Sequence, residues 1–291
     1  MLCGMARIAI IGGGSMGEAL LSGLLRAGRQ VKDLVVAERL PERARYLAET
    51  YSVLLTSVQD AVENATFVIV AVKPSDVESV VGEVGRAAAE AAEESPEQVF
   101  ITVAAGVTTT YLESKLPAGM PVVRAMPNAP ALVGAGVSAL AKGRFVTPEQ
   151  LNGVAALFDS VGGVLSVPEA QLDAVTAVSG SGPAYFFLMV EALVDAAVGV
   201  GLSRSVATNL VVQTMAGSAA MLLERMDQDG VTALDASTDV TPAQLRATVT
   251  SPGGTTAAAL RELERRGLRA AVDEAVRAAK TRSEQLRITS E

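Results

Sequence analysis

The 291-residue chain contains no histidine, and its single cysteine is Cys3. The first absence removes histidine-dependent catalytic triads, histidine-ligated zinc and the histidine proton relay of many hydroxyacid dehydrogenases. Proton chemistry must come from a hydroxyl, a lysine, a carboxylate or water. A lone thiol excludes internal disulfides and cysteine-rich metal sites, and it fits a reducing compartment. Positive charge is also scarce: 24 Lys and Arg against 32 Asp and Glu leave a net charge of −8. Nucleic acid is therefore not an expected partner, because neutralising phosphates needs a basic surface. A small molecule is. No metal is expected, since Asp227-Gln228-Asp229-Gly230 lacks calcium-loop spacing. Nor is a membrane span: the longest apolar runs carry charges at helical spacing, as Glu191 and Asp195 do within residues 185–202. The lead Met1-Leu2-Cys3-Gly4-Met5 is too short for a signal peptide, so a cytoplasmic protein is expected.

What the sequence does contain is a change of pattern part-way along. Short apolar runs at Arg7–Ile11, Leu34–Ala37, Val53–Leu55, Phe67–Val72, Val99–Val103, Val122–Ala125 and Val164–Val167 predict strands. Helical patterns separate them at Met16–Ala27, Arg43–Thr50, Val77–Ala92 and Glu149–Ser160, and the alternation predicts a doubly wound, mostly parallel sheet. After Pro168, long Ala/Leu/Val/Met segments with a 3.6-residue period predict an all-helical domain. The expected division is thus residues 1–168 and 169–291. In the second part Gly182-Pro183 opens a helix ending near Gly199–Gly201, and Ser203 caps the next, which runs to about Met226. Thr241-Pro242-Ala243-Gln244 combines an N-cap, a first-turn proline and a capping-box Gln, and Gly267 separates the last two helices. With 49% apolar residues, helices of this kind would leave a large hydrophobic patch on a monomer, so oligomerisation is expected.

Ile8–Ile11 leads straight into Gly12-Gly13-Gly14-Ser15-Met16-Gly17, a G-x-G-x-x-G sequence between a strand and a helix. Gly12 permits the tight turn, Gly14 lets the backbone approach a pyrophosphate, and Gly17 allows close helix–strand packing, while the helix N-terminus favours the anion. Together with Ile11 these residues form the expected dinucleotide site. About 20 residues beyond the last glycine stand Glu38 and Arg39. A Glu there accepts hydrogen bonds from a free ribose and favours NADH, whereas an Arg pairs with a 2′-phosphate and favours NADPH. The sequence leaves both cofactors open.

Further motifs are Ala71-Val72-Lys73-Pro74, Val103-Ala104-Ala105-Gly106, Arg124-Ala125-Met126-Pro127-Asn128, Ser179-Gly180-Ser181-Gly182-Pro183-Ala184 and Ser251-Pro252-Gly253-Gly254-Thr255-Thr256. In combination they resemble the pyrroline-5-carboxylate reductase family over essentially the whole chain. The resemblance implies a Rossmann-type N-terminal domain followed by an all-α C-terminal dimerisation domain that interlocks with its twofold mate, and often assembly of dimers into a ring. It implies NADPH or NADH as cofactor, with a lean to NADPH, the nicotinamide lying between the domains. It places Ala71–Pro74 and Val103–Ala105 against the cofactor. Two positions depart from the family pattern: Ser15 replaces the usual Asn, and Val58 stands where an Asn often contacts the cofactor.

The implied reaction is hydride reduction of the cyclic C=N of 1-pyrroline-5-carboxylate to L-proline, which requires no histidine because a protonated imine is already electrophilic. Two glycines before Thr-Thr at a helix start expose several backbone N–H groups suited to a carboxylate. Ser251 and the amides of Gly254 and Thr255 are the candidate carboxylate ligands. The resemblance assigns the Thr256 hydroxyl to the ring nitrogen, as the catalytic contact. Lys73 is expected to support its turn or touch cofactor phosphate, and Met126 and Phe186 to be core; the resemblance aligns Asp239 with an acidic position near the substrate, where capping a helix is its expected role. A related β-hydroxyacid or imine reductase is the rival enzyme; a β-hydroxyacid dehydrogenase would need a catalytic lysine in the helical part, where Lys280 stands alone near the C-terminus. A non-catalytic dinucleotide sensor or scaffold is the rival of another class, against which the pairing of Ser251 and Thr256 with an intact glycine motif argues.

Overall fold

The computed structural model describes residues 6–90, 97–228 and 242–288. Cys3, the end of the helix expected at Ala92, the Thr241 cap and Asp239 lie outside them. Two compact units divide the chain, Met1–Gly180 with Ala279–Glu291, and Ser181–Ala278.

The first unit is built on one eight-stranded sheet. In chain order its elements are β1 (Ile8–Ile11), α1 (Ser15–Arg26), β2 (Leu34–Ala37), α2 (Pro41–Tyr51), β3 (Leu54–Thr56), α3 (Val58–Val62), β4 (Phe67–Val70), α4 (Val77–Glu90), β5 (Val99–Thr102) and α5 (Thr109–Lys115). They continue with β6 (Val122–Met126), β7 (Gly136–Lys142), α6 (Pro148–Phe158), β8 (Gly162–Ser166) and α7 (Leu172–Val175). The strand order is β3-β2-β1-β4-β5-β6-β7-β8. All pairs are parallel except β6 with β7. The direction of winding reverses between β1 and β4, which is where such sheets open a crevice at their carboxyl ends.

Every residue of β1, β2, β4 and β5 is buried, as expected for strands covered by helices on both faces. Ile8 and Ile10 pack in one core with Leu20, Leu24 and Phe158, whereas Ala9 and Ile11 pack in the other with Val68, Val81 and Phe100. The alternation along one strand thus feeds both layers. The predicted strands all form, and β7 is an addition. Its sequence Gly-Val-Ser-Ala-Leu-Ala-Lys is rich in small residues of low strand preference, and its buried stretch is stabilised by pairing on both sides.

By contacts, residues 169–180 fold with the sheet, where Leu172 is fully buried against Ala139 and Ala141 of β7. The chain end returns to the same unit. Asp173, buried on α7, accepts from Ser283 Oγ at 2.6 Å and from Arg287 Nε at 2.8 Å. Burial pushes the Asp173 carboxyl up, but the Ser283 and Arg287 hydrogen bonds and the charges of Arg287 and Arg124 outweigh it, so its pKa is lowered. A depressed carboxyl contributes stability above its unfolded pKa, about 3.9, and loses it as pH falls through the folded value. The melting temperature of Asp173→Asn should therefore fall less steeply than the wild type's between about pH 5 and pH 3, as followed by circular dichroism. Parallel acid limbs would show that the pair does not persist in solution.

The second unit is helical: α8 (Gly182–Gly199), α9 (Arg204–Gln228), α10 (Pro242–Thr248), α11 (Thr255–Arg265) and the greater part of α12 (Leu268–Gln285). Pro183 opens α8, the Ser203 carbonyl accepts from Ala207, and Gly267 at φ +77° separates α11 from α12. Phe186, expected in the core, is 63% exposed in the single chain, and Phe187, Leu188, Met215 and Leu223 are exposed with it. The large hydrophobic patch expected on a single chain is thus present on these helices.

Candidate functional site

The Gly-rich turn lies at the carboxyl end of β1, beside the reversal point of the sheet. Gly12 has φ +102°, and a Cβ there would stand 2.8 Å from the Ala71 carbonyl oxygen. Its amide donates to the Ala37 carbonyl at 2.8 Å, so the ends of β1, β2 and β4 are brought together at this residue. Gly17 sits so close beneath the turn that a Cβ would fall 2.0 Å from the Gly12 carbonyl oxygen. Gly14, by contrast, has nothing within 4 Å of where a Cβ would be. Space is therefore open at the residue expected to meet a pyrophosphate, and closed at the two expected to shape the turn.

α1 begins directly after Gly14, which caps it without a side-chain hydrogen bond. The first-turn amides of Ser15, Met16 and Gly17 consequently have no acceptor within the helix. A cavity of about 470 Å³ extends from this helix start, lined by Ile11, Gly12, Gly14, Glu38, Arg39, Val58, Ala71, Val72 and Lys73 among others. Its remaining wall includes Leu40, Thr56, Ser57, Asp76, Val80 and Glu83. Half of the residues expected at the cofactor site are thus gathered around one space. Gly13, Ser15, Met16, Gly17 and Pro74 adjoin it in the same turns, while Val103, Ala104 and Ala105 follow β5 and do not line it. The residues present suit a dinucleotide: a helix start with no side-chain cap, an open glycine and a cavity at the strand ends.

Glu38 does more than face this cavity. One carboxylate oxygen accepts from the Gly13 amide at 2.7 Å and the other from the Leu40 amide at 2.8 Å. The Gly13 carbonyl is held from the opposite side by Arg43 Nε at 2.6 Å. Arg43 also pairs with Glu18, which accepts from Tyr51 at 2.8 Å and from Tyr46 at 3.0 Å. Burial raises the Glu18 carboxyl, but the bonds from Arg43, Tyr51 and Tyr46 outweigh it and its pKa is lowered. Burial and the bond to Glu18 push Tyr51 up to about 12. Glu18 is therefore ionised and Tyr51 neutral at pH 7, giving a fixed scaffold under the turn. Arg43 and Glu18 carry no local sequence signal for this role, since 25 residues separate them.

Arg39 donates to Asp76 at 2.9 Å across the cavity mouth, with its side chain 75% exposed. Lys73 is exposed, and its carbonyl accepts from the Asp76 amide at 2.9 Å.

In the second unit, Ser251–Gly254 form a turn closed by the Gly254 amide to the Ser251 carbonyl at 3.1 Å, with Gly253 at φ +71°. Ser251 Oγ lies where it would stand 2.6 Å from a Cβ on Gly254, so only glycine fits there without displacement. α11 starts immediately afterwards, capped by Gly254 with no side-chain acceptor. Ser251 and Thr255 are exposed and Thr256 half-buried. The hydroxyl, the helix start and both threonines are thus held in one short turn.

Residues 169–286 match the family model described as pyrroline-5-carboxylate reductase dimerisation, and residues 7–106 match one described as NADP oxidoreductase coenzyme F420-dependent. The first match covers the exposed apolar helices. Segments Glu169–Gly199 and Arg204–Met226 are long and apolar enough to cross a membrane by length and composition, and the dimerisation match accounts for the same property. The chain is 78% identical to a pyrroline-5-carboxylate reductase of Mycobacterium leprae, covering 100% of both chains. It is 43% identical to one of Corynebacterium melassecola, covering 97% of this chain and 99% of the relative. Among solved structures, a pyrroline-5-carboxylate reductase from Coxiella burnetii superposes with a TM-score of 0.86 at 35% identity, over 98% of this chain and 100% of that one. A Plasmodium falciparum pyrroline carboxylate reductase with NADP bound gives 0.80 at 28%, over 97% and 98%. With the glycine turn, the uncapped helix start and the Ser251–Thr256 turn all in place, this full-length likeness means that the chain belongs to the pyrroline-5-carboxylate reductase family.

Proposed function

We propose that the protein catalyses the NADPH- or NADH-dependent reduction of 1-pyrroline-5-carboxylate to L-proline, the last step of proline biosynthesis. The observation that carries this reading is the presence of both halves of the chemistry in one chain: an open glycine turn at a helix start in the sheet unit, and a Ser-Pro-Gly-Gly-Thr-Thr turn at a helix start in the helical unit. The bound cofactor supplies hydride to the imine carbon. Ser251 and the amides of Gly254 and Thr255 hold the substrate carboxylate, an anion favoured at a helix start by about 0.3–1 kcal/mol. The Thr256 hydroxyl hydrogen-bonds the ring nitrogen and fixes its orientation. Gly12 to Gly17, with Ala71–Pro74, hold the dinucleotide, and Val103–Ala105 flank its nicotinamide. Oxidation of NADPH on addition of pyrroline-5-carboxylate, followed at the nicotinamide absorbance, tests the reading; a dinucleotide sensor would bind NADPH without turnover.

The working enzyme is proposed to be a cytoplasmic homodimer joined through α8 and α9, with dimers assembling further into a ring. Burial of Phe186, Phe187 and Leu188 by a second copy supplies the driving force that one chain leaves unused.

NADPH is the proposed preference. The Arg39–Asp76 pair is exposed and contributes about 0–1 kcal/mol, so the guanidinium can exchange Asp76 for a ribose 2′-phosphate at little cost. Glu38 is occupied by the Gly13 and Leu40 amides and acts chiefly on the turn. Arg39→Ala should weaken NADPH by about 10- to 100-fold, as for a lost charge-assisted hydrogen bond, and leave NADH within about twofold. Equal effects on both cofactors, measured by fluorescence titration, would place Arg39 outside the phosphate site.

A further inference from the structure

The turn after β5, Val103–Thr108, stands on the β4–β6 side of the reversal point. In a doubly wound sheet each half holds one mononucleotide, so this turn faces the nicotinamide half, away from the cavity at β1–β3. It carries no regular structure of its own between Thr102 and Thr109. Gly106, at φ +78°, adds conformational freedom. Its start is held from β4 and β5, the Val103 amide donating to the Val70 carbonyl at 3.1 Å and the Ala104 amide to Thr102 Oγ1 at 3.2 Å. Its second half is tied from two sides by segments distant in sequence.

The returning chain end holds one side. Ile288 donates its amide to the Gly106 carbonyl at 2.9 Å and forms an isolated parallel bridge with Val107. Ile288 packs on the core that includes Ala104 and Val107. The Leu286 carbonyl oxygen would lie 2.5 Å from a Cβ on Gly106, so the two backbones are in close contact. This segment is in turn fastened to α7, where Asp173, 2% exposed, accepts from Ser283 and Arg287. Glu169 holds the other side, accepting from the Thr109 amide at 2.7 Å and its hydroxyl at 2.5 Å, while Arg124 stands 3.4 Å away.

We propose that residues 283–288 are a latch that positions the Val103–Ala105 turn against the nicotinamide, with Arg287 and Ile288 as positioning residues that do not touch the cofactor. The inference rests on the dinucleotide reading above. Its consequence is selective: loosening the latch weakens only the nicotinamide end, leaving the adenine and pyrophosphate contacts at Gly12–Gly17 intact.

The test uses full-length Arg287→Ala and Ile288→Pro, the latter removing the amide that meets Gly106. Affinities for NADPH and for 2′-phospho-ADP-ribose, which lacks the nicotinamide, are measured by calorimetry. The latch predicts that NADPH affinity falls about tenfold in either variant, equivalent to about 1.4 kcal/mol, while affinity for the fragment changes by less than about twofold. Arg287→Lys, which keeps the ion pair, should restore most of the loss. Because the readout is a ratio within one protein sample, a lower folded fraction does not imitate it, and either variant suffices if the other fails to fold. A parallel loss for both ligands, or no loss, overturns the latch. Wild-type protein that binds the fragment as tightly as NADPH would instead overturn the placement of the nicotinamide on this turn.

Discussion

Gly17→Ala is expected to lose both cofactor binding and part of its stability, whereas Gly14→Ala loses cofactor binding alone. At Gly17 the added Cβ meets the Gly12 carbonyl oxygen at 2.0 Å and its carbon at 3.1 Å, both backbone atoms that no rotamer change can move. Overpacking of this kind costs about 1–3 kcal/mol. It can be relieved only by shifting α1 or the turn, which displaces the first-turn amides from the anion position. At Gly14 the Cβ meets nothing, so the apoprotein should melt as the wild type does, but the methyl occupies the space through which the pyrophosphate approaches the backbone. Affinity should fall at least about 100-fold in each variant, as expected when several charge-assisted hydrogen bonds are lost together. Thermal melts and cofactor titrations of the two proteins separate the effects. Normal affinity in Gly14→Ala would mean that the pyrophosphate does not pass over this turn.

That contrast also shows which parts of the site are legible in sequence. The glycine positions follow from a local motif set between an apolar run and a helical period, and the structure gives each glycine a distinct steric reason. The Ser251–Thr256 turn is equally local: a tight turn, a glycine cap and a helix start within six adjacent residues. Elements whose reason is tertiary were harder to see. β7 has the composition of a small-residue loop and becomes a strand because β6 and β8 offer pairing on both sides. Residues 169–180 pack with the sheet unit, where Asp173 finds its partners more than 100 residues away, at Ser283 and Arg287. The spacing of Glu38 leaves its role open, and nothing local in the sequence signals that its carboxylate reaches back to the Gly13 amide. The same holds for Arg43, whose link to Gly13 depends on how α2 lies beside the turn. Motif spacing thus marks the candidate site, while the scaffold around it arises only from packing.

Thr256→Val should reduce turnover far more than substrate binding. Thr256 lies in the first turn of α11, half-buried, one residue beyond the Gly254–Thr255 amides assigned to the carboxylate. Valine keeps the branched shape and the backbone amide and removes only the hydroxyl, so the turn and the carboxylate contacts should survive. A hydrogen bond lost to a buried polar partner costs about 1–3 kcal/mol, which corresponds to a rate loss of roughly 5- to 150-fold if the bond is made chiefly in the transition state. The loss should therefore appear in kcat. Ser251→Ala provides the opposite signature. Its proposed contact is to the carboxylate, which keeps its charge and position throughout hydride transfer, so its removal should weaken ground and transition states alike and mainly raise KM. Steady-state kinetics on both variants, with cofactor affinity and melting temperature as controls, distinguish the two roles. If Thr256→Val reduces pyrroline-5-carboxylate at the wild-type rate with fold and cofactor affinity unchanged, the hydroxyl has no part in catalysis, and water alone must serve the ring nitrogen.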